Sequence, residues 1–319
     1  MTLNNFQLLY QHMLFIRLFE EKLAQVYQQQ EMRCPMHLSI GQEAIAVGVS
    51  AALQADDWVY SNHRAHAHYL AKGGDAQALI AELYGFSEGC SGGRGGSMHL
   101  IDLAAGFGGS TPIVGGTVPI AVGAAWAMKL QGKSGVVVSY LGDGCFEEGV
   151  VHESWNFALL HKLPVVFVLE NNNYSVYTQL NQRQPARPIA GVAAAHGMFT
   201  RTGDGNRVME VQALAQQAVD YARAGFGPAF IELATHRIPE HCGPFNDDHL
   251  GYRQCAELET WLARCPLQLA KQQLLAQGVD TCWFESEADQ QQATLETIFA
   301  QAKQGTPAKA AEAGVHVYA

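Results

Sequence analysis

Two residues that follow apolar runs, Asp143 and Asn172, have the types and spacing of ligands for a divalent cation. Asp143 stands between two glycines after the run 136–141, and Asn172 closely follows the run 165–169. Residues 147–161 have a helical pattern, so this crossover makes the two strands parallel and brings their carboxyl ends to one edge of a sheet. With a backbone carbonyl near Tyr174, these oxygens supply half of the near-octahedral shell of Mg²⁺. The spacing predicts a magnesium site at the ligand-binding edge of an open α/β sheet.

The two glycines beside that aspartate, Gly142 and Gly144, favour a diphosphate ligand next to the cation. Glycines let the backbone approach a ligand closely, and amides at the start of the next helix can face an anion. Phosphate oxygens and water would then complete the metal shell. Aspartate–glycine is also ordinary turn chemistry, so the motif alone leaves a plain turn as an alternative. Glu147 and Glu148 are better explained as acids in a first helical turn than as further metal ligands.

The pattern Gly-Asp-Gly, followed about thirty residues later by Asn-Asn, resembles the thiamin diphosphate motif. Over residues 6–265 the chain is similar to the alpha subunit of 2-oxo acid dehydrogenases of the pyruvate and acetoin dehydrogenase type. This resemblance implies thiamin diphosphate and Mg²⁺ as cofactors. The other motifs that carry it are Ile40-Gly41-Gln42-Glu43-Ala44, Arg64-Ala65-His66, Gly93-Arg94-Gly95-Gly96-Ser97-Met98-His99, Ile113-Val114-Gly115, Ser154-Trp155-Asn156-Phe157-Ala158, Lys162-Leu163-Pro164 and Glu170-Asn171-Asn172.

The resemblance also implies roles for single residues in the cofactor site. Arg64 would bind the phosphates, because its planar guanidinium suits paired oxygens; the alternative is a surface arginine. His63 would be a further phosphate contact, although the family often has tyrosine there. Val114 would separate the two rings of the cofactor, or else it packs a turn. The predicted cofactor-binding residues are completed by Gly142, Asp143, Gly144, Asn172 and Tyr174, of which Asp143, Asn172 and Tyr174 are the predicted metal ligands.

His66 and His241 are the predicted catalytic residues. The resemblance places both near the reacting carbon, and an imidazole can take up or release a proton near neutral pH. The alternative for His66 is a buried structural histidine. His241 lies in a loop that departs from the family, because Pro239 replaces a histidine and Cys242 replaces a serine that some organisms phosphorylate. This departure leaves the substrate and the lipoyl-bearing partner open.

The resemblance implies that the active site is shared with another chain. The glutamate that activates the cofactor comes from the beta subunit in this family, which predicts an α₂β₂ assembly. The implied reaction is decarboxylation of a 2-oxo acid, or cleavage of acetoin, with transfer of the acyl or aldehyde unit to an acceptor such as the lipoyl group of an acyltransferase. A two-chain carboligase or transketolase-like enzyme with a non-lipoyl acceptor is the alternative, and a non-catalytic scaffold is a third. A nicotinamide-dependent oxidoreductase is poorly supported, because the glycines at 92–96 do not fit Gly-x-Gly-x-x-Gly.

Composition agrees with a cytoplasmic enzyme chain. The 319 residues are 48% hydrophobic, which is enough for a substantial core, and the net charge of −10 argues against nucleic acid and anionic membranes as partners. The seven cysteines are scattered without a Cys-x-x-Cys pair, which indicates reduced thiols. The sequence shows neither a secretory signal nor an apolar run of membrane-spanning length.

The predicted fold class is α/β, a thiamin diphosphate-binding fold with a mostly parallel sheet, helices on both faces and helical additions at both ends. Residues 1–265 would form the cofactor-binding domain, including a helix at about 6–30, and residues 266–319 would form a helical appendage. Further strands are expected at 58–60 and 229–233. The glycine-rich stretch 85–116 is long for a connection, which suggests a binding loop.

Overall fold

The computed structural model describes residues 3–32, 34–312 and 314–315. Its strands are β1 (Trp58–Ser61), β2 (Phe107–Ser110), β3 (Val137–Gly142), β4 (Val165–Asn171), β5 (Tyr174–Ser175), β6 (Thr178–Gln179), β7 (Phe199–Asp204) and β8 (Ala229–Ala234). Its helices are α1 (Leu3–Tyr27), α2 (Glu43–Ser50), α3 (His66–Ala71), α4 (Ala76–Leu83), α5 (Thr117–Leu130), α6 (Gly149–Leu160), α7 (Leu180–Arg183), α8 (Ile189–Ala195), α9 (Val208–Arg223), α10 (Cys255–Leu262), α11 (Pro266–Ala276) and α12 (Thr281–Ala302).

Six strands form one parallel sheet in the order β2-β1-β3-β4-β8-β7, and β5 and β6 form a separate antiparallel pair. The central strands β3 and β4 are buried along almost their whole length, as expected of parallel strands covered on both faces. The predicted parallel pairing of these two strands is confirmed. All six parallel strands therefore end at the same edge of the sheet.

The two faces of the sheet support separate hydrophobic cores. Successive residues of a strand point to opposite faces, so Val137 packs with Trp155 of α6 on one side and Val138 packs with Phe19 of α1 on the other. Helices α5, α6 and α8 cover the first face, whereas α1, α2 and α9 cover the second. The predicted arrangement of helices on both faces is confirmed.

The C-terminal helices α11 and α12 pack on the N-terminal helix α1. Leu267, Leu274 and Phe284 join the cluster that contains Leu9 and Met13 of α1. Helix α12, the last α-helix of the described residues, ends at Ala302. The division into a domain 1–265 and an appendage 266–319 stays a prediction, and residues 316–319 lie outside the described part of the chain. Among the described residues, no helix is long and apolar enough to cross a membrane.

Candidate functional site

A cleft opens at the carboxyl edge of the sheet. Its wall is formed by the segments that follow five neighbouring strands, β2, β1, β3, β4 and β8. Nine of the ten predicted site residues line it, namely His63, Arg64, Val114, Gly142, Asp143, Gly144, Asn172, Tyr174 and His241. The cleft therefore brings together residues that are far apart in the sequence because parallel strands end at one edge.

The three predicted metal ligands, Asp143, Asn172 and Tyr174, all line this cleft. Asp143 opens a short 3₁₀ turn after β3, and it is only 1% exposed. Burial raises the pKa of its carboxyl group, and the guanidinium of Arg183 acts in the opposite direction. The side-chain oxygen of Asn172 accepts a hydrogen bond from the backbone amide of Tyr174, with an N–O distance of 3.2 Å. A carboxylate, an amide oxygen and nearby backbone carbonyls are the hard oxygen donors that suit Mg²⁺.

The turn that follows Asn172 has an unusual backbone. Asn173 and Val176 have φ angles of 68° and 53°, and Val176 lines the cleft. A left-handed conformation is uncommon for asparagine and costly for a β-branched residue, and such costs concentrate at functional sites. This turn carries Tyr174 into β5 and then leads through β6 to α7.

The two glycines beside Asp143 have different surroundings. A Cβ atom placed on Gly142 would have no protein atom within 4 Å, although this residue lines the cleft. A Cβ on Gly144 would lie 2.7 Å from the hydroxyl oxygen of Ser175, which is too close. Gly144 is therefore required by the protein itself, whereas the space beside Gly142 opens into the cleft. Space for a ligand next to a buried carboxylate fits a phosphate-bearing cofactor held through a cation.

Arg64 also lines the cleft and is held by two backbone carbonyls. Its guanidinium donates to the carbonyl oxygen of Leu38 at 2.6 Å and to that of His241 at 3.1 Å. Since a guanidinium has five N–H donors, others are left to face an anion in the cleft. A second buried arginine, Arg237, lines the same wall.

Three histidines, His37, His63 and His241, pack ring against ring beside the two arginines. Their ring centroids are 4.6–5.3 Å apart. Burial and the charge of Arg64 lower the pKa of His37 to about 2 and those of His63 and His241 to about 3. Their nitrogens are close enough together for a metal ion. However, the positive charges of Arg64 and Arg237 oppose a cation here and suit an anion.

His66 is not among the residues that line the cleft, and its catalytic role stays a prediction. It is fully buried at the start of α3, and both ring nitrogens have protein partners. One ring nitrogen lies 3.3 Å from the Glu20 carboxylate, and the other lies 2.8 Å from the hydroxyl oxygen of Ser97. The buried structural histidine that the sequence left as the alternative describes this arrangement. His66 links α1 to the glycine-rich segment.

The glycine-rich stretch 85–116 does not act as one binding loop. Its first part wraps around Glu82, whose carboxylate accepts hydrogen bonds at 2.6–3.1 Å from four backbone amides, those of Ser91, Gly93, Gly95 and Gly96. Its middle part contains β2, and only residues from Thr111 onward reach the cleft. Val114, which is 47% exposed, is one of these cleft residues. The expectation of a binding loop therefore applies to the last part alone.

Five residues of the site have no role in the sequence-based prediction: Gln42, Glu170, Arg183, Arg237 and His37. Gln42 and Glu170 line the cleft and belong to motifs that carry the resemblance, so the motifs were a usable signal. Arg237 and His37 each lie within four residues of a recognised motif or loop residue. Arg183 belongs to no motif, and only its contact with Asp143 reveals it.

A parallel sheet whose strand ends carry Gly-Asp-Gly and Asn-Asn at one cleft is the arrangement of the thiamin diphosphate-binding class of α/β enzyme chains. Sequence comparisons agree with this class. The profile of the family described as "Dehydrogenase E1 component" matches residues 11–311. The chain belongs to this family.

Curated relatives name the same kind of chain. The alpha subunit of the pyruvate dehydrogenase E1 component of Zymomonas mobilis is 40% identical over 272 residues, which is 85% of this chain and 76% of that relative. The alpha subunit of acetoin:2,6-dichlorophenolindophenol oxidoreductase of Bacillus subtilis is 40% identical over 245 residues, covering 77% and 73% of the two chains. The pyruvate dehydrogenase E1 alpha subunit of Rhizobium meliloti is 37% identical over 270 residues, covering 84% and 77%. The resemblance to thiamin-diphosphate-dependent 2-oxo acid dehydrogenase alpha subunits is confirmed, and the carboligase or transketolase alternative is not favoured.

Proposed function

We propose that this chain is the alpha subunit of an enzyme that decarboxylates a 2-oxo acid, or cleaves acetoin, with thiamin diphosphate and Mg²⁺. One observation carries the proposal: a buried carboxylate, an asparagine amide and two arginines converge on one cleft from the ends of neighbouring strands. The relatives named for pyruvate and for acetoin support the two substrate classes. A cytoplasmic location stays a prediction.

The metal would be held on the Asp143 side of the cleft. Asp143 offers a carboxylate oxygen, Asn172 a side-chain amide oxygen and Tyr174 a backbone carbonyl. Phosphate oxygens of the cofactor would be further ligands of the metal, with Gly142 leaving room for them. Hard oxygen ligands on one side and phosphates on the other are the usual surroundings of protein-bound Mg²⁺.

The diphosphate would lie between this metal and the arginine side of the cleft. Arg64 and Arg237 supply positive charge, and a guanidinium can bind two phosphate oxygens at once. His63 would add an uncharged hydrogen-bond donor beside them, because its pKa of about 3 keeps it neutral at physiological pH. Val114 would position the cofactor rings near the cleft mouth.

When bound, thiamin diphosphate supplies a ring that accepts the electrons released as carbon dioxide leaves. The chain's own contribution to proton handling would come from His241, which lines the cleft. Its lowered pKa makes the neutral imidazole a donor of its N–H proton rather than a strong base. His241 would therefore hydrogen-bond to the reacting group and stabilise oxygen atoms on which negative charge builds up.

A beta subunit would complete the active site, in an α₂β₂ assembly, by supplying the activating glutamate. The relatives are each named as a "subunit alpha", which supports a partner chain. At the mouth of the cleft Ile113 is 69% exposed and Val114 is 47% exposed, and exposed apolar side chains beside a site favour a covering partner. A lipoyl-bearing acyltransferase would be the acceptor of the acyl unit.

The direct test is an assay of this chain purified together with its candidate beta subunit. A panel of 2-oxo acids and acetoin, with an artificial electron acceptor, should show turnover that depends on thiamin diphosphate and on both chains. Turnover by the isolated chain would contradict the shared site. Absence of turnover with every 2-oxo acid and with acetoin would contradict the proposed reaction.

A further inference from the structure

Arg183, which belongs to no recognised motif, contacts Asp143, the proposed carboxylate ligand of the metal. Its guanidinium makes ion pairs with the carboxylates of both Asp143 and Glu147. Its Nε donates to the carbonyl oxygen of Thr178 at 3.1 Å, so the side chain is held at three points. The neighbouring Gln184 donates to the carbonyl oxygen of Asp143 at 3.2 Å and to the Glu147 carboxylate at 3.0 Å.

A buried carboxylate needs an opposite charge. The Asp143 side chain is 2% exposed, and leaving it ionised without a partner would cost several kcal/mol. Within the described part of the chain, Arg183 is the cation that contacts this carboxylate. The guanidinium thus neutralises the Asp143 carboxylate in the metal-free chain, as a bound cation would in the metal-bound chain.

A metal ion bound to the Asp143 carboxylate would lie close to the guanidinium of Arg183. The guanidinium contacts Oδ2 of Asp143, and a dication beside it would add strong repulsion between like charges. Arg183 sits at the end of α7, which is tied through β6 and β5 to Tyr174, the proposed carbonyl ligand. Metal binding and the position of Arg183 are therefore coupled through one short segment.

We propose that Arg183 is a built-in counterion that competes with the divalent cation for Asp143. The proposal rests on the proposed function, because it assumes that Asp143 is a metal ligand. Cation binding breaks the ion pair between Arg183 and Asp143, while Glu147 retains the guanidinium. Arg183 accordingly stabilises the metal-free chain and lowers the affinity of the site for the cation, since only the fraction with Asp143 released can bind.

The test measures cation affinity with Mn²⁺ as the probe, because free Mn²⁺ can be counted by its electron paramagnetic resonance signal. Arg183→Gln keeps much of the length and hydrogen bonding of the side chain but removes its charge. It should bind Mn²⁺ at least about fivefold more tightly than the natural chain, and its melting temperature without metal should be lower. Arg187→Gln is the matched control, because Arg187 is exposed and its guanidinium lies over the Phe146 ring, 5.4 Å from the ring centroid. The control should leave Mn²⁺ affinity unchanged.

Two further variants separate the possible failures. If Asp143→Asn binds Mn²⁺ as well as the natural chain, the proposed metal site is wrong. If Asp143→Asn loses Mn²⁺ and Arg183→Gln binds it no more tightly than the natural chain, the metal site stands and the counterion proposal is overturned. If Arg183→Gln fails to fold, Arg183→Lys is measured instead. An ammonium cannot bridge two carboxylates as a guanidinium does, so a smaller gain in Mn²⁺ affinity is expected. No gain in Mn²⁺ affinity would then overturn the proposal.

Discussion

Two glycine-rich regions of this chain, the cleft beside Asp143 and the segment that wraps around Glu82, use their backbone in opposite ways. Around Glu82 four amides converge on a carboxylate of the chain itself, so the anion is built in. Beside Gly142 the space is open, and charged side chains from several strand ends face it. Glycine-rich backbone therefore indicates a ligand site only where the chain leaves space for a ligand.

Removal of the built-in anion should produce the largest loss of stability. Glu82→Ala deprives four backbone amides of a charged acceptor, so the free energy of unfolding in urea should fall by about 3–5 kcal/mol. Cofactor affinity of the folded protein should change little. Glu88→Ala is the control, because this exposed glutamate of the same segment accepts from one backbone amide, that of Thr306, and its loss should lower the free energy of unfolding far less. If Glu82→Ala lost cofactor affinity without losing stability, the segment around Glu82 would be a ligand site rather than a structural one.

On the cleft side, His241→Ala should lower turnover by about 100-fold or more while cofactor binding is retained. The physical reason is that the uncharged ring faces the cleft, where it can donate a hydrogen bond to the reacting group. Steady-state kinetics and calorimetric titration with thiamin diphosphate measure the two quantities separately. His249→Ala, an exposed histidine of the same loop, should behave like the natural chain. Normal turnover of His241→Ala would remove this residue from the reaction.

A pair of alanine substitutions tests the comparison at single glycines. A Cβ on Gly95 would lie 2.1 Å from the carbonyl oxygen of His99, so Gly95→Ala should destabilise the chain by about 1–3 kcal/mol and spare cofactor affinity. The methyl group that Gly142→Ala adds would contact no protein atom, so the stability of this variant should be unchanged. Its cofactor affinity should fall by about tenfold, or about 1.4 kcal/mol. Thermal melts and titrations of both variants give the answer. Equal effects on stability would contradict the distinction between filled and open regions.

The histidines of the cleft should also give a pH dependence of stability. The lowered pKa values of His37, His63 and His241 mean that the unfolded chain binds more protons than the folded chain between about pH 3 and pH 6.5. The free energy of unfolding should therefore fall as the pH falls through this window. His63→Asn should reduce the slope by up to about 1.4 kcal/mol per pH unit, whereas exposed His249→Asn should not. An unchanged slope for His63→Asn would show that this ring is protonated in the folded chain.

The core of the fold could be predicted from sequence because its signals are local. The buried strands β3 and β4 are continuous apolar runs, and their parallel pairing follows from the helix between them. The edge strands β2 and β7 escaped prediction, because Phe107-Gly-Gly-Ser and the half-exposed Phe199–Asp204 lack such a run. Helix α6 begins at Gly149 rather than Glu147, because the 3₁₀ turn Asp143–Glu147 precedes it.

Site residues were predictable from sequence where a motif marks the end of a strand. They were less predictable where contacts between distant parts of the chain determine the role of a side chain. Asp143, Asn172 and Arg64 reach the cleft because each follows a strand of the sheet. The ring nitrogens of His66 contact Glu20 and Ser97, which are distant from it in the sequence. No local sequence pattern shows that both nitrogens already have partners in the protein. The contact of Arg183 with Asp143 spans 40 residues and is equally invisible to motifs.

The assignment of the open cleft as the cofactor site is tested most directly by the calorimetric affinity for thiamin diphosphate in the presence of Mg²⁺, with the chain bound to its beta subunit. Asp143→Ala should weaken this affinity by about 100-fold or more, because the metal loses its one proposed carboxylate ligand. Asp56→Ala, which removes an exposed aspartate, should match the natural chain. Equal affinity of Asp143→Ala and the natural chain would contradict the assignment of the open cleft as the cofactor site.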